Sequence, residues 1–403
     1  EVPSWPAGFP IAEVAADGSS VITKPTGSGG LVSVGTVTAQ LVYEIGAPTY
    51  ANPDVTALFD TIVLTSAGPD RVAISGTRGA PAPEKLKVAV NLFAGFRNSM
   101  SLVLTGRDAR AKADLALQMV AGIGLDAALG DPASGRPAPS ADQLAELSTL
   151  DVAELAVAFE DVAGDDPATT AAAQGHLRIT VKDADQKKVG KPFTTAVVES
   201  ALGCYPGMFP TAPPAEGSAY GVYWPTLIDR ADVSVGVTVA GEALDFAPTA
   251  WVATGAAPTE SPAPDEVAAP VRRPDVAAAN PTAWAPDSGT VLGDIVGARS
   301  GDKGGNANVG VWIPEPGAGP STQLTDDEVR ARYTWLASWL TPERVRELLP
   351  EASDLDIDVH GLPNLNAVNV VIRGLLGRGV ADSTSLDPQA KGLGEHLRSR
   401  RIR

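Results

Sequence analysis

Segments of strand period alternating with segments of helix period predict a mixed chain, α/β or α+β in class. A stretch rich in Ala, Pro, Thr and Glu at residues 253–287 predicts two parts, 1–252 and 288–403, joined by an extended linker. After the linker, pairs of short apolar runs on either side of a helical run predict a small α+β second part.

In the first part, Leu86 to Leu92 alternates as a half-buried strand. Arg107 to Val120 is Ala-rich and reads as a helix, with Leu115, Met119 and Val120 on one face. The Pro/Ser-rich Asp131 to Ser140 reads as a loop, and Gln143 to Phe159 as a second helical region. Leu177 to Val181 follows as a strand, Asp183 to Lys188 as a turn, Phe193 to Leu202 as a helix and Val233 to Val239 as a strand. In the second part, Val291 to Val296 and Val309 to Ile313 read as strands joined by the loop Ala298 to Gly310. Thr325 to Leu349 reads as two helices broken at Thr341-Pro342, with Thr341 as N-cap and Pro342 in the first turn. Leu355 to Val359 and Val368 to Ile372 close the order as strands, and a ferredoxin-like outline accommodates it.

A net charge of −17 over 403 residues argues against nucleic acid and anionic membrane surfaces as partners. The single cysteine, Cys204, permits no internal disulfide and fits a reducing cytoplasm. No activating base stands near it in sequence, so a buried, inert thiol is expected. His176, His360 and His396 are too scattered for ligand spacing, and no metal is expected. No apolar run has transmembrane length. The sequence opens on Glu1 and reads from there like the interior of a longer product. Abundant Ala, Pro, Gly and Asp beside few Lys points to a high-GC bacterial source.

The richest chemistry lies in Ala298 to Gly310, which holds Arg299, Ser300, Asp302, Lys303, Gly304, Gly305, Asn306 and Asn308. Glycine permits positive φ and close approach of a ligand, and successive backbone N–H groups can nest an anion. Arg299 and Lys303 add charge suited to a carboxylate or phosphate. The N–H groups near Gly304 and Gly305 can hold an enolate oxyanion. An ordinary turn draws on the same Gly, Asp and Asn, but Arg, Asp and Lys exceed what a turn requires. Asp302 and His360 are the candidates for moving a proton. His360 opens a second cluster, His360 to Asn369, in which Asn364 can orient a carbonyl; a tight turn with a surface histidine competes with that reading. Aromatics concentrate between Gly203 and Pro225, where Tyr205, Tyr220 and Tyr223 can line an apolar pocket or form an interface. Lys24 to Gly30 is a weaker glycine loop. Lys391 can reach an anion, though a solvated surface lysine is the ordinary expectation.

Gly29-Gly30-Leu31-Val32-Ser33 with Gln40-Leu41-Val42-Tyr43-Glu44-Ile45, Tyr205-Pro206-Gly207 with Tyr220 to Pro225, and Ala298 to Gly310 with Pro363-Asn364-Leu365 and Leu386 to Gly394 occur in this order along nearly the whole chain. Together they resemble the acyclic terpene utilisation protein family of AtuA type. The resemblance implies a longer protein, with a further glycine-containing α/β segment ahead of residue 1. It also implies a C-terminal domain of ferredoxin fold; the term is topological, since one cysteine cannot hold an iron–sulfur cluster. It implies bacterial breakdown of acyclic terpenes such as citronellol and geraniol, in the company of acyl-CoA catabolism, and carries over no catalytic residue.

The expected function is a non-redox enzyme acting on a CoA thioester or the derived carboxylate by hydration, elimination or C–C cleavage, hence a lyase or hydratase. Expected partners are the small-molecule acyl-CoA or carboxylate and either further copies of the chain or acyl-CoA catabolic proteins. No cofactor is identified; CoA enters only as a moiety of the substrate. The alternative is a non-catalytic binding or assembly subunit of an acyl-CoA catabolic complex. A nucleotide-binding dehydrogenase is disfavoured, for these residues hold no Rossmann fingerprint.

Overall fold

The computed structural model describes residues 6, 8–131, 136–162, 166–203, 205–244, 284–314 and 324–403. Residues 253–283 of the expected linker, Cys204, and residues 132–135 of the expected loop lie outside them. The fold is mixed α and β, in two compact units that do not follow the order of the chain. One takes the described residues of 1–90, 225–380 and 389–403; the other takes those of 91–224 and 381–388.

The second unit is an antiparallel sheet backed by helices. Met208–Pro210, Lys85–Thr105, Gln174–Asp183 and Glu154–Asp161 lie side by side in that order, and Ser218–Asp229 also pairs with Lys85–Thr105. The helix Ala109–Ala121 packs Ala113, Ala116, Leu117 and Val120 into one core with Leu102, Leu177 and Phe193. Leu115 and Met119, expected on that inner face, are 45% and 43% exposed. Small alanines mark the packed face here, because they let the helix approach its neighbours closely. The second helical region is shorter than expected. The helix Ala141–Leu147 stops at Ser148, whose hydroxyl bonds to the Ala145 carbonyl, and Glu154–Asp161 is a strand paired with Gln174–Asp183. A strand partner decides between the two periods in Leu155 to Phe159, where apolar residues fit either. Asp183 to Lys188 runs into one helical turn, Gln186–Val189, capped by Asp185.

In the first unit, residues 11–80 form two small antiparallel sheets and the helix Val34–Leu41. Ser33 and Thr36 form a capping box at its start, which satisfies backbone donors the helix leaves open. Val237–Val239 is a three-residue strand paired with Glu242–Leu244, shorter than the run read from Val233. The C-terminal portion is a four-stranded antiparallel sheet in the order Gly297–Lys303, Asn306–Trp312, Ala367–Ile372, Ile357–Leu362. The helices Asp326–Trp339 and Pro342–Leu348 connect its two hairpins, and Leu393–Ser399 follows them. Thr341 caps the second helix with Pro342 in its first turn, as expected. This ββαββα order is the ferredoxin-like βαββαβ arrangement read cyclically from its second strand.

Two expectations change here. Val291 to Val296 is not a strand but carries the short turn Leu292–Asp294. Ala298 to Gly310 is not a loop but the body of a hairpin that turns at Gly304, where φ is +66°. Glycine and asparagine lowered its apparent strand character, but cross-strand pairing overrides propensity.

Candidate functional site

Side chains alternate across each strand of this sheet. Ala298, Val309, Val311, Val368, Val370 and Ile372 take one face and join the helical core. In register, Arg299, Gly301, Lys303, Asn308, Gly310, Asn369 and His360 take the other. A polar, glycine-rich sheet face is unusual for a buried surface, and the chain itself covers it.

Residues 42–46 lie on that face. Asn308 and Asn369 are both 0% exposed. The Glu44 N–H donates to Asn308 Oδ1 at 2.6 Å, and Asn308 Nδ2 donates to the Val42 carbonyl at 3.3 Å. Asn369 Nδ2 donates to the carbonyls of Ile45 and Gly46, and Asn308 Nδ2 to Asn369 Oδ1. Two buried amides thus satisfy a main chain that has no strand partner there. Glycine provides the room: a Cβ on Gly310 would lie 2.3 Å from a Val42 methyl, and one on Gly301 2.7 Å from the Tyr43 ring. Val42, Ile45 and Ile62 then share a small core with Leu362, Leu365 and Ala367.

This docking carries Tyr43 and Glu44 to the edge strand Gly297–Lys303. Lys391 meets them there, ahead of the helix Leu393–Ser399. Ser300 fixes its backbone: the buried hydroxyl donates to the Lys391 carbonyl at 3.3 Å and accepts from the Gly394 N–H at 2.8 Å. Lys391 Nζ lies 2.5 Å from Glu44 Oε1 and 3.4 Å from Asp302 Oδ1, and it donates to the Tyr43 hydroxyl. The Arg299 guanidinium sits 3.9 Å from the Tyr43 ring centroid and donates to Gln40 Oε1 at 2.9 Å. Stacking and a single hydrogen bond leave most of its five donors unused. Lys303 Nζ lies 4.8 Å from the Tyr50 ring centroid, and no oxygen among the described residues accepts from it.

The charges are tuned by these contacts. Burial acts against the Lys391 ammonium, but hydrogen bonds to Glu44 and Tyr43 outweigh it and hold its pKa above the usual lysine range. Burial likewise opposes ionisation of Glu44, and hydrogen bonds from Lys391 and Tyr43 outweigh it, leaving the carboxyl below its ordinary value. Lys303 moves the other way. Burial lowers its pKa, Lys87 adds to the effect, and Glu44 opposes it. The result is a phenol between a fixed ammonium and a fixed carboxylate, with Arg299 over its ring and Lys303 farther along the strand over Tyr50.

Arg299 and Lys303 therefore share the face that carries Tyr43 and Glu44, whereas Asp302 alternates to the face of Ala298 and, among the described residues, is linked to them only through Lys391 at the strand edge. His360 does not join them: it pairs with Asn369, which pairs with Gly310, which pairs with Arg299. Three strand spacings put it roughly 14 Å from Arg299. Burial lowers the His360 pKa, with Asp358 opposing and Arg373 reinforcing the shift. Gly305 and Asn306 are engaged by the following loop: the Gly305 carbonyl accepts from Leu376, and Asn306 Oδ1 from Gly374. Asn364 Nδ2 donates to the carbonyls of Phe59 and Ile62, at 2.9 and 2.8 Å. Tyr205, Tyr220 and Tyr223 belong to the other unit. There the Tyr205 hydroxyl donates to the Lys112 carbonyl, and Lys182 Nζ lies 5.1 Å from the Tyr220 ring centroid. Lys24 is engaged within the unit, donating to the Ser28 carbonyl of its own loop and pairing with Asp70.

Sequence reasoning passed over Tyr43 and Glu44 as chemical groups and set Lys391 aside as a surface lysine. The available signal was Gln40, Tyr43 and Glu44 interrupting an apolar run inside one of the resemblance motifs. Among the described residues, no group of three or more His, Cys, Asp or Glu could hold a metal ion, and no helix is long and apolar enough to cross a membrane.

Residues 2–239 match the family described as acyclic terpene utilisation family protein AtuA, and residues 290–403 match the AtuA ferredoxin-like domain. No curated protein and no solved structure matches the chain.

Proposed function

The chain belongs to the acyclic terpene utilisation family of AtuA type, and we propose that it serves there as a non-redox enzyme on a branched acyl-CoA thioester or the derived carboxylate. The cluster of Arg299, Lys303, Tyr43, Glu44, Asp302 and Lys391 carries this reading. Hydration, elimination and C–C cleavage beside a carbonyl share one requirement, a place for negative charge on the carbonyl oxygen. Arg299 and Lys303 supply it with donors not engaged elsewhere. Asp302 lies on the other face of this edge strand and meets the cluster through Lys391 at 3.4 Å, so its assigned role, taking the α proton, requires a substrate that reaches round the strand edge. Tyr43 returns a proton, with Glu44 and Lys391 holding its hydroxyl in place.

The test is binding and turnover on a panel of branched acyl-CoAs and free terpenoid acids. Asp302→Asn should lower kcat by about 10²- to 10⁴-fold with little change in KM, and Arg299→Ala with Lys303→Ala should also lower kcat, since stabilisation of developing charge is lost. Undiminished turnover by Asp302→Asn removes the base assignment. The competing reading, an assembly subunit, draws on Phe209 and Trp224, which are 45% and 60% exposed. Failure of the intact chain to bind any of these compounds, with a protein partner retained on purification, would favour it.

A further inference from the structure

Lys24, Lys85, Lys182, Lys188 and Lys391 each face a carboxylate. Lys303, on the sheet face that residues 42–46 cover, has none within ion-pair distance among the described residues. It is half-buried, and its Nζ lies 4.8 Å from the Tyr50 ring centroid. An ammonium carries three donors and no acceptor. Burying it without an oxygen to receive them penalises the charged form. The neutral amine loses less on burial, and it exposes a lone pair.

The neighbours act in the same direction. Tyr50, on the short strand Thr49–Ala51, stacks on Phe59 with centroids 5.6 Å apart, and both rings pack against the small core of Val42 and Leu362. Lys87 brings a second ammonium, from the portion of Lys85–Thr105 that belongs to the same unit. Burial holds the Lys303 pKa below the usual lysine range, and Lys87 adds to the effect against the pull of Glu44. The Tyr50 ring also attracts the cation but supplies no oxygen in the ring plane to receive its protons. The backbone beneath is fixed. Lys303 pairs with Asn306 across the turn, Leu376 N–H donates to the Gly305 carbonyl at 2.9 Å, and a Cβ on Gly305 would lie 2.2 Å from the Gly377 carbonyl oxygen. The side chain thus springs from ordered main chain, which reduces the orientational entropy lost on reaction.

We propose that Lys303 is a nucleophilic amine that condenses with a small aldehyde or ketone to form an iminium. A lysine that is desolvated, or set beside another cation, is activated for this chemistry. The nitrogen lone pair bonds to the carbonyl carbon, and a proton passes from nitrogen to oxygen to give the carbinolamine. With one proton from solvent the C–O bond breaks, water leaves, and the Lys303 nitrogen becomes the iminium nitrogen. No oxidant or reductant is consumed. The inference does not rest on the thioester reading, in which Lys303 acts as a cation; a titrating lysine offers both forms.

The intact chain is incubated with 2-methylpropanal and sodium cyanoborohydride, which reduces an iminium to a stable secondary amine, across a series of pH values. Alkylated lysines are located by peptide mass spectrometry. Near neutral pH, Lys303 should be alkylated at least about fivefold faster than the exposed Lys85, and its rate should level off at a lower pH. Lys303→Arg should abolish that adduct with an unchanged melting temperature. Lys87→Met should move the Lys303 curve to higher pH. A Lys303 rate no greater than that of Lys85, the same pH profile for the two, or an unmoved Lys303 curve in a folded Lys87→Met variant would each overturn the proposal. Selective alkylation of Lys303 in a chain that binds no acyl-CoA would uphold this inference and remove the thioester reading. Acyl-CoA turnover without that selectivity would do the reverse.

Discussion

Asn308 and Asn369 do at the scale of single residues what a neighbouring strand does elsewhere: they pair a buried main chain. Asn308→Ala leaves the Glu44 N–H and the Val42 carbonyl without those partners. A buried group left unsatisfied costs about 1–3 kcal/mol, so a loss of roughly 2–5 kcal/mol is expected in urea unfolding; a loss below about 1 kcal/mol would show that water reaches these groups. His360 makes a second prediction. Its folded pKa lies below the ordinary 6.5, so the unfolded chain binds its proton more readily. The stability it contributes is complete above about pH 6.5 and is lost as pH falls through the folded value. His360→Gln should flatten that part of the stability–pH curve, and its ring resonances should titrate below the ordinary histidine value. The Lys391–Glu44 pair has the opposite character. Glu44 contributes stability above an unfolded value near 4.5, lost as pH falls through its lowered pKa, and Lys391 contributes below 10.5, lost as pH rises through its raised one. Between about pH 5 and 10 the pair should therefore show no titration of its own.

At the scale of elements, the hairpin Gly297–Lys303/Asn306–Trp312 is a platform on which residues 42–46 dock. Gly310→Ala would push a methyl into Val42. Overpacking of this kind costs about 1–3 kcal/mol, and it should also lower turnover by moving Tyr43 and Glu44 away from Lys391. A Gly310→Ala variant of unchanged stability would contradict the close approach. The same hairpin shows what the sequence could and could not disclose. The helix break at Thr341-Pro342 and the strands at Leu177 to Val181 and Val368 to Ile372 were legible, because caps and period-2 patterns are local. Arg299, Asp302 and Lys303 were legible as a concentration of charge, because charge among glycines is anomalous in a turn. The docking of residues 42–46 was not, since its hydrogen bonds join positions 264 to 324 apart. A glycine that clears space for a distant segment looks, in sequence, like a glycine that makes a turn. Gln143 to Phe159 misled for a related reason: only pairing with Gln174–Asp183 distinguishes its second half as a strand.

At the scale of the whole molecule, the chain leaves the first unit after residue 380 and returns to it at residue 389. The excursion is anchored within the second unit by Asp382, 8% exposed, whose carboxylate lies 2.8 Å from the Nζ of Lys182, itself 4% exposed; Glu154 lies 3.1 Å from the same Nζ. Removing one partner of a buried pair costs about 3–5 kcal/mol. Lys182→Met should cost that much in chemical unfolding and expose residues 381–388 to protease, whereas Lys182→Met/Asp382→Leu should recover much of the loss. Equal losses for the single and double variants would mean that the pair is not coupled. The bond from Asn369 to Gly46 spans 323 positions, and this has a consequence during synthesis. A ribosome adding about 5–20 residues per second needs roughly 15–65 s to travel that distance. For that interval the newly made Val42 to Gly46 strip has no platform to lie on, and its apolar side chains are open to passing chaperones. The Lys391 cluster can close only once Lys391 has followed Glu44 by 347 positions.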